Sequence, residues 1–295
     1  MTGDGAPVRP AASPGVLEEG VLEEEEPLWP GMPRVDRRTA LAAVRLLREA
    51  DWWRALLGVV LLSVVFVLLG RWQWHRHEYK LERNHRVNAN YAAPAVPIAA
   101  VLPGPSAPFP AAREWRPVQV RGSYRAQDTV LVRNRPLNGE DGYEVLVPLR
   151  TAAGAVLLVD RGWVPAGATA QRPDAVPAPP SGPVDVVVRL RPPEPAAGRR
   201  APPGQALSID VAQIARRLRL EPVYAGYGVL AAESPRPPGA PTLLPRPSVD
   251  LGPHLGYAIQ WWAFAITAYV LLASFAVREA QRRLEKDPVG PADRR

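Results

Sequence analysis

The sequence predicts a membrane α+β fold: two transmembrane helices forming a hairpin around an extracytoplasmic antiparallel β-rich domain. Two windows, Ala55–Gly70 and Tyr257–Val277, are almost wholly apolar. Tryptophans stand on both sides of the first window, as in the aromatic belts of spanning helices. Between the windows, short runs rich in β-branched residues alternate with turns rich in Gly and Pro, which is typical of strands.

The two apolar windows predict the membrane spans. The second window is about as long as a helix that crosses ~30 Å of hydrocarbon. The first is shorter, and its alternative is a buried core helix, but a soluble helix normally keeps a polar face. More than 50 residues precede the first window, so it is not a cleavable signal peptide. We therefore predict transmembrane helix 1 at 52–74 and transmembrane helix 2 at 254–277.

The distribution of positive charge predicts the orientation. Several basic residues follow the second window, whereas only Arg246 closely precedes it. The positive-inside rule therefore puts the C-terminus in the cytoplasm, and two spans put the N-terminus there too. The central domain is then extracytoplasmic. We assign much of the net charge of +7 to the membrane flanks and predict no nucleic-acid partner.

The segments outside the spans differ in composition. The first one is rich in Pro, Gly and Glu and buries too little apolar surface to fold. The predicted segments are a disordered cytoplasmic tail at 1–36, an amphipathic juxtamembrane helix at 37–51, a helical extension to about Asn90 with a Pro-rich linker at 75–114, the β-rich domain at 115–235, a second Pro-rich linker at 236–253 and a basic cytoplasmic tail at 278–295.

The β-rich domain shows six strand-like runs and one short helix. Asp210 can cap that helix, whose apolar residues recur at helical spacing from Val211 to Leu218. Short loops between the first four runs favour antiparallel pairing. The six runs are "RPVQVRGSY", "TVLVRNRP", "YEVLVPLR", "AVLLVDRGWVP", "VDVVVRLR" and "VYAGYGVLA".

The domain offers little catalytic chemistry. The chain has no cysteine, which excludes disulfides, iron–sulfur clusters and covalent haem attachment. No histidine lies between His85 and His254, and no nucleotide-binding or hydrolase motif is present. The cluster "DRGW", Asp160–Trp163, has two interpretations: a binding site, or a structural turn. We favour the structural one, with Gly162 in an unusual backbone conformation and Arg161 paired with an acid.

The beginning of the second span is unusually polar. At 100° per residue, His254, Ala258, Trp261 and Ala265 share one helix face, which leaves room for a flat ligand. A neutral imidazole is a common haem ligand, and Trp261 could stack on the rim of the macrocycle. The alternative is an interfacial histidine beside tryptophans that only anchor the helix. From the residues alone, the second interpretation is favoured.

The end of the first span carries a matching group of polar residues. Gln73 can hydrogen-bond to Gln260 of the second span, which would be a structural role. Arg71 and Arg76 can contact lipid phosphates or ligand carboxylates equally well. The neighbouring histidines are poorly spaced on a helix for one metal ion, so a metal site there is weakly supported.

At these residues the chain resembles the surfeit locus protein 1 family. "LGRWQWHRHEYK" resembles the family signature GxWQxxRxxWK, with Tyr79 in place of the usual tryptophan. "PVQVRGSY", "GYEVLVPL" and "VDRGWVP" resemble its central blocks, and "HLGYAIQWWAFA" resembles its second-helix signature HLxYAxQW. The resemblance runs in order from about Leu69 to Phe264.

The resemblance implies a non-enzymatic assembly factor for cytochrome c oxidase in the bacterial plasma membrane. It implies transient binding of haem a, with His254 as the axial ligand of the haem iron, and delivery to the catalytic subunit of the oxidase. Haem a synthase is a further candidate partner, and membrane lipid surrounds the spans. That Arg71 or Arg76 takes the haem propionates is our own hypothesis.

Two other functions stay open at this stage. The first is a structural assembly factor that docks oxidase subunits without carrying haem. The second is an unrelated two-span membrane enzyme, which is disfavoured because the β-rich domain lacks histidines and paired acids with catalytic spacing.

Overall fold

The computed structural model describes residues 35–105, 107–169 and 171–286. The predicted tail at 1–36 lies outside these ranges except for its last two residues. Half of the predicted tail at 278–295, from residue 287 onward, also lies outside them, and its first half is the end of a helix. The chain divides into two compact units. The first unit contains the described residues up to Leu68 and from Gln260 onward, and the second contains Leu69–Ile259.

Four α-helices and eight strands make up the described chain. The helices are α1 (Arg37–Leu46), α2 (Ala50–Asn90), α3 (Val211–Leu218) and α4 (His254–Lys286). The strands are β1 (Val96–Pro97), β2 (Pro117–Tyr124), β3 (Val130–Val132), β4 (Gly142–Thr151), β5 (Val156–Pro165), β6 (Pro183–Arg191), β7 (Gln205–Ala206) and β8 (Val223–Ser234).

Helices α2 and α4 are the two candidate membrane spans. Their most apolar windows have mean hydropathies of 2.3 and 1.5, and only 11% of each window is buried in the structure. Apolar side chains that face outward in this way are typical of helices surrounded by lipid. The predicted membrane α+β fold is therefore confirmed. Both helices extend beyond the predicted spans, α2 to Asn90 and α4 to Lys286.

The first unit is held together by packing and by one ion-pair network. Ala43 of α1 belongs to a small apolar cluster with Ala276 and Ala280 of α4. Arg283 of α4 donates to Glu49 over 2.5 Å. Short α1 starts at an N-cap, because the carboxylate of Asp36 accepts a hydrogen bond from the amide of Thr39.

The second unit contains a closed five-stranded barrel. Its strands pair in the order β2–β6–β8–β5–β4, and β4 pairs back with β2. All neighbours are antiparallel except β5 and β8, which run parallel. Strand β6 and helix α3 lie between β5 and β8 in the chain, which is the long connection that parallel pairing requires. All six predicted strands are present.

The burial pattern explains how these residues form the barrel. Strand β6 alternates between exposed and buried positions, as expected of a strand with one solvated face. Strand β5 is buried at every position except Pro165, because both of its faces are covered. The short strands β1 and β7 were not predicted, since two residues are too few to show alternation.

The extension of α2 is fixed to the barrel. Val87 of α2 lies in the same apolar cluster as α3 and strands β3, β4, β5 and β8. Asn90, the last residue of α2, donates hydrogen bonds to the carbonyls of Ala112 and Glu114. These contacts attach the last turns of α2 to the barrel.

Candidate functional site

The candidate site is built around His254, the first residue of α4. Its Nδ1 lies 2.8 Å from Oε1 of Gln73 on α2. An amide oxygen can only accept a hydrogen bond, so Nδ1 carries the hydrogen and donates it. The neutral imidazole then keeps an unprotonated Nε2 with a free lone pair. This is the tautomer in which a histidine binds a metal through Nε2.

The loop before α4 is pinned to α2, which places His254 beside Gln73. Asn84 donates to the carbonyl of Val249 over 2.6 Å, and Arg83 donates to that of Ser248 over 3.2 Å. Farther along, the amide of Gly252 donates to the side chain of Asp250. Because α2 is continuous from Gln73 to Asn84, these contacts fix the loop relative to Gln73.

Gly252 leaves an open space beside the imidazole. Its φ is +64°, and a Cβ at this position would lie 2.9 Å from Nζ of Lys80. The same Cβ would lie 3.6 Å from Nε2 and Cδ2 of His254. The free nitrogen of His254 and the ammonium of Lys80 therefore border the same small space, which any larger residue at position 252 would fill.

The charges around His254 are positive. Lys80 and Arg76 are the cations whose charges act on it most strongly, with Asp250 opposing them. A free imidazole nitrogen surrounded by cations fits a ligand that combines a metal ion with carboxylates, as haem does. The residues present thus fit a haem group.

The structure brings together some of the predicted site residues. Gln73 and His254 are in direct contact, Lys80 and Gly252 border the same space, and the positive charge of Arg76 acts on His254. Neither Lys80 nor Gly252 was predicted as a site residue. For Lys80 a signal existed, because it is the last residue of the first signature block. For Gly252 only the structure shows its contact with His254.

Arg71, Trp261 and Gln260 stay predictions. Arg71 and Gln260 are exposed. In the first unit, the ring of Trp261 stacks on Phe66 with a centroid distance of 5.6 Å and meets Phe264 edge-on at 5.8 Å. The carboxamide oxygen of Gln73, which was expected to pair with Gln260, accepts from His254.

Two histidines at the end of the first span differ in their surroundings. The imidazole of His75 pairs with Glu78 over 3.2 Å, and His77 is buried. Within residues 35–105, 107–169 and 171–286, no three His, Asp or Glu side chains are grouped to hold a metal ion.

Arg161 and Gly162 of the "DRGW" cluster have the structural role that the sequence favours. The guanidinium of Arg161 is fully buried and donates to both carboxylate oxygens of Glu233, over 2.8 and 3.2 Å. Gly162 has a φ of +125°, and a Cβ there would collide with the carbonyl of Thr242. The cluster lies inside β5, however, and not in a turn at its end.

The fold and the site together define a class of membrane protein: two spans, a closed barrel between them in the chain, and a histidine held at the start of the second span. The sequence model of the SURF1 family matches residues 60–266, which includes both signature blocks and the whole barrel. The chain belongs to the SURF1 family, as the resemblance of the signature blocks implies.

Relatives of the chain carry the same family name. Proteins of Mycobacterium bovis and Mycobacterium tuberculosis, each named an uncharacterized SURF1-like protein, are 32% identical to it over 255 residues. That alignment covers 84% of this chain and 92% of each relative. A SURF1-like protein of Rickettsia bellii is 29% identical over 112 residues, covering 36% of this chain and 42% of that protein. The family is linked in general to the assembly of cytochrome c oxidase.

Proposed function

We propose that this protein is an assembly factor for cytochrome c oxidase that binds haem a transiently and assists its insertion into the catalytic subunit. It acts as a carrier and catalyses no reaction. The observation that carries the proposal is the hydrogen bond from Nδ1 of His254 to Gln73. That bond leaves Nε2 available as a metal ligand.

The other residues of the site suit the rest of the ligand. Haem a supplies an iron that accepts an imidazole nitrogen, an apolar hydrocarbon tail and two carboxylates. Gln73 orients the imidazole of His254 and holds its tautomer. Arg76 and Lys80 provide positive charge for the carboxylates. Arg71, Trp261 and Gln260 are further predicted contacts.

Transient binding agrees with the exposure of the site. His254 is only half-buried, so a ligand can enter and leave without unfolding the helix. The excess of basic residues after α4 supports a cytoplasmic C-terminus. We therefore propose that His254 and the barrel face the outer side of the bacterial plasma membrane. The catalytic subunit of the oxidase and haem a synthase are the proposed partners there.

The test is the absorption spectrum of the full-length protein purified from cells that make haem a. We expect a haem a spectrum in the wild type and its loss in His254→Ala. Gln73→Leu should lower haem loading several-fold, and Gln73→Glu, which still accepts from Nδ1, should restore it. His85→Ala is the matched control, because His85 is an exposed histidine on the same extension of α2. Its spectrum should equal that of the wild type.

The same hydrogen bond also favours a second function. The His254–Gln73 contact joins residues 181 positions apart, and a purely structural role would be to hold the start of α4 against the middle of α2. The protein would then dock oxidase subunits through its barrel without carrying haem. A colourless wild type from membranes that contain haem a would support this second function and contradict the first.

A further inference from the structure

The barrel unit contains a polar cavity that is separate from the His254 site. Its volume is about 220 Å³, and none of its lining residues contacts His254 in the candidate site. This volume is below the ~300–1,000 Å³ of pockets for drug-sized ligands, so only a small molecule fits. The polar residues that matter here are Trp115, Arg135, Glu144, Asp160, Arg191 and Glu194.

Trp115 has an unsatisfied donor at this cavity. Its side chain is only 7% exposed, and its indole N–H has no hydrogen-bond partner within the described ranges. The guanidinium of Arg191 lies 4.1 Å above its ring and fixes the ring in place. A buried donor without a partner costs free energy, and most buried donors in proteins are paired. The unpaired indole therefore indicates a missing acceptor.

Asp160 is a second buried polar residue that lines this cavity, and its side chain accepts one hydrogen bond among those described between residues 35 and 286. It is 1% exposed, and its Oδ1 accepts from the amide of Gly162 over 3.0 Å. The nearby Arg135 is engaged by two other acids: its Nε lies 3.0 Å from Glu144, and its Nη2 lies 2.5 Å from Glu194. The cavity thus holds three carboxyl groups around one shared guanidinium.

This crowding affects the charge of Asp160. Burial is the main cause that raises the pKa of its carboxyl well above the usual range, and the negative charge of Glu144 adds to it. Tyr227 of β8 lines the same cavity. A raised pKa favours the neutral carboxylic acid, which can donate a hydrogen bond.

With Asp160 neutral, the other charged groups around the cavity favour the binding of an anion. Arg189 lies over the ring of Tyr91 and lines the cavity without a carboxylate partner at salt-bridge distance, among the ion pairs that the structure describes. Arg191 shares Glu114 with Arg86. With Asp160 neutral, the arginines around the cavity outnumber the ionised carboxylates. A small monoanion would balance this excess and accept hydrogen bonds from the free donors.

We propose that this cavity is a binding site for a small monocarboxylate, whose oxygens accept hydrogen bonds from the indole of Trp115 and the carboxyl group of Asp160. A carboxylate fits better than a phosphate dianion because the excess of positive charge is small. The walls formed by Tyr91, Tyr227 and Val229 can contact a short apolar body. This site is independent of haem binding.

The test uses propionate as the probe and the full-length protein in detergent, labelled with ¹⁵N at its tryptophan indoles. A ligand of this size is expected to bind with a Kd on the order of 1 mM. Propionate should shift the indole signal that is absent in Trp115→Phe, and it should raise the melting temperature. The neutral propionamide should bind at least tenfold more weakly, and inorganic phosphate should also bind more weakly.

Two tryptophan variants distinguish a direct contact with propionate from a general effect on the fold. Trp115→Phe should weaken propionate binding about fivefold or more, since it removes one hydrogen bond. Trp163→Phe is the matched control, because the indole of Trp163 already donates to the carbonyl of Arg135 over 2.7 Å. Its propionate affinity should stay within about twofold of the wild type.

The pH dependence of binding gives a further criterion. Propionate affinity of the wild type should fall as pH rises and Asp160 ionises, whereas Asp160→Asn, which keeps a neutral donor, should bind with no such fall. The proposal is overturned if about 50 mM propionate, roughly 50 times the expected Kd, causes no shift in the folded protein. It is also overturned if propionamide or phosphate binds as tightly as propionate, or if the two tryptophan variants lose affinity equally.

Discussion

Asp160 and Arg161 are neighbours on strand β5 and face opposite sides of it. Both side chains are almost completely buried, at 1% and 0% exposure. Arg161 pairs with one acid, Glu233, and donates hydrogen bonds to both of its carboxylate oxygens. The hydroxyl of Tyr124 donates to the same carboxylate. Every part of this arrangement is paired within the chain.

The face that carries Asp160 is different. Two further acids share the guanidinium of Arg135, and the indole of Trp115 has no partner in the described part of the chain. The two side chains are therefore equally buried, but their hydrogen bonding is complete on one face only. A fully paired buried cluster is a structural element, whereas a partly paired one has capacity left for a ligand.

The largest expected effect on stability comes from breaking the buried ion pair between Arg161 and Glu233. Arg161→Met leaves the carboxylate of Glu233 buried with one partner fewer, and should lower the free energy of unfolding by about 3–5 kcal/mol. The measurement is urea unfolding of the purified protein followed by near-ultraviolet circular dichroism. The double variant Arg161→Met/Glu233→Leu removes both charges and should recover most of the loss. Equal losses in the single and double variants would contradict this account of the pair.

Gly162 follows Asp160 and Arg161 on strand β5, and its substitution tests how tightly the strand is packed at this point. Its φ of +125° disfavours any other residue, and an added Cβ would collide with the carbonyl of Thr242, whose backbone pairs with Trp163. Gly162→Ala should therefore cost at least about 1–3 kcal/mol from backbone strain. Gly154→Ala is the control, since Gly154 has a φ of +87° but open space around it. A loss at position 162 no larger than at 154 would show that the contact with Thr242 is unimportant.

Most of the fold could be predicted from the sequence because its signals are local. Alternation, apolar length and the cap at Asp210 need only a few neighbouring residues, and they locate both long helices, α3 and six strands. Barrel closure depends on the pairing of β2 with β4 and of β5 with β8, which are contacts between distant residues. Loop lengths alone favoured antiparallel neighbours and gave no sign of the parallel pair.

The sites could be predicted only in part, for the same reason. His254 and Gln73 lie in signature blocks, so the resemblance pointed to them, but their mutual hydrogen bond links residues far apart in sequence. The acids Glu144, Asp160 and Glu194 show no paired spacing along the chain. Only the folding of β4 and β5 against the segment after β6 brings them together around Arg135.

Two buried tryptophans of the barrel unit differ in their hydrogen bonding. Trp115 and Trp163 are equally buried, at 7% and 8% exposure, but only the indole of Trp163 has a hydrogen-bond acceptor, the carbonyl of Arg135. Substitution by Phe removes the same atoms in both cases. Trp163→Phe should therefore cost about 1–2 kcal/mol more than Trp115→Phe in urea unfolding, because it leaves a buried carbonyl unpaired. Equal costs would show that the indole of Trp115 has an acceptor in solution even without ligand.

The effect expected at Asp160 is smallest near pH 4 and grows as pH rises. Because the folded protein raises the pKa of this carboxyl, the native state keeps a proton that the unfolded chain releases above pH ~4. Stability of the wild type should therefore fall as pH rises above ~4 until Asp160 ionises in the folded state, at up to ~1.4 kcal/mol per pH unit from this group. Asp160→Asn, which can still accept from the amide of Gly162, removes that contribution. The variant should match the wild type near pH 4 and become the more stable protein as pH increases, whereas a constant difference between the two across this range would mean that Asp160 ionises normally in the folded protein.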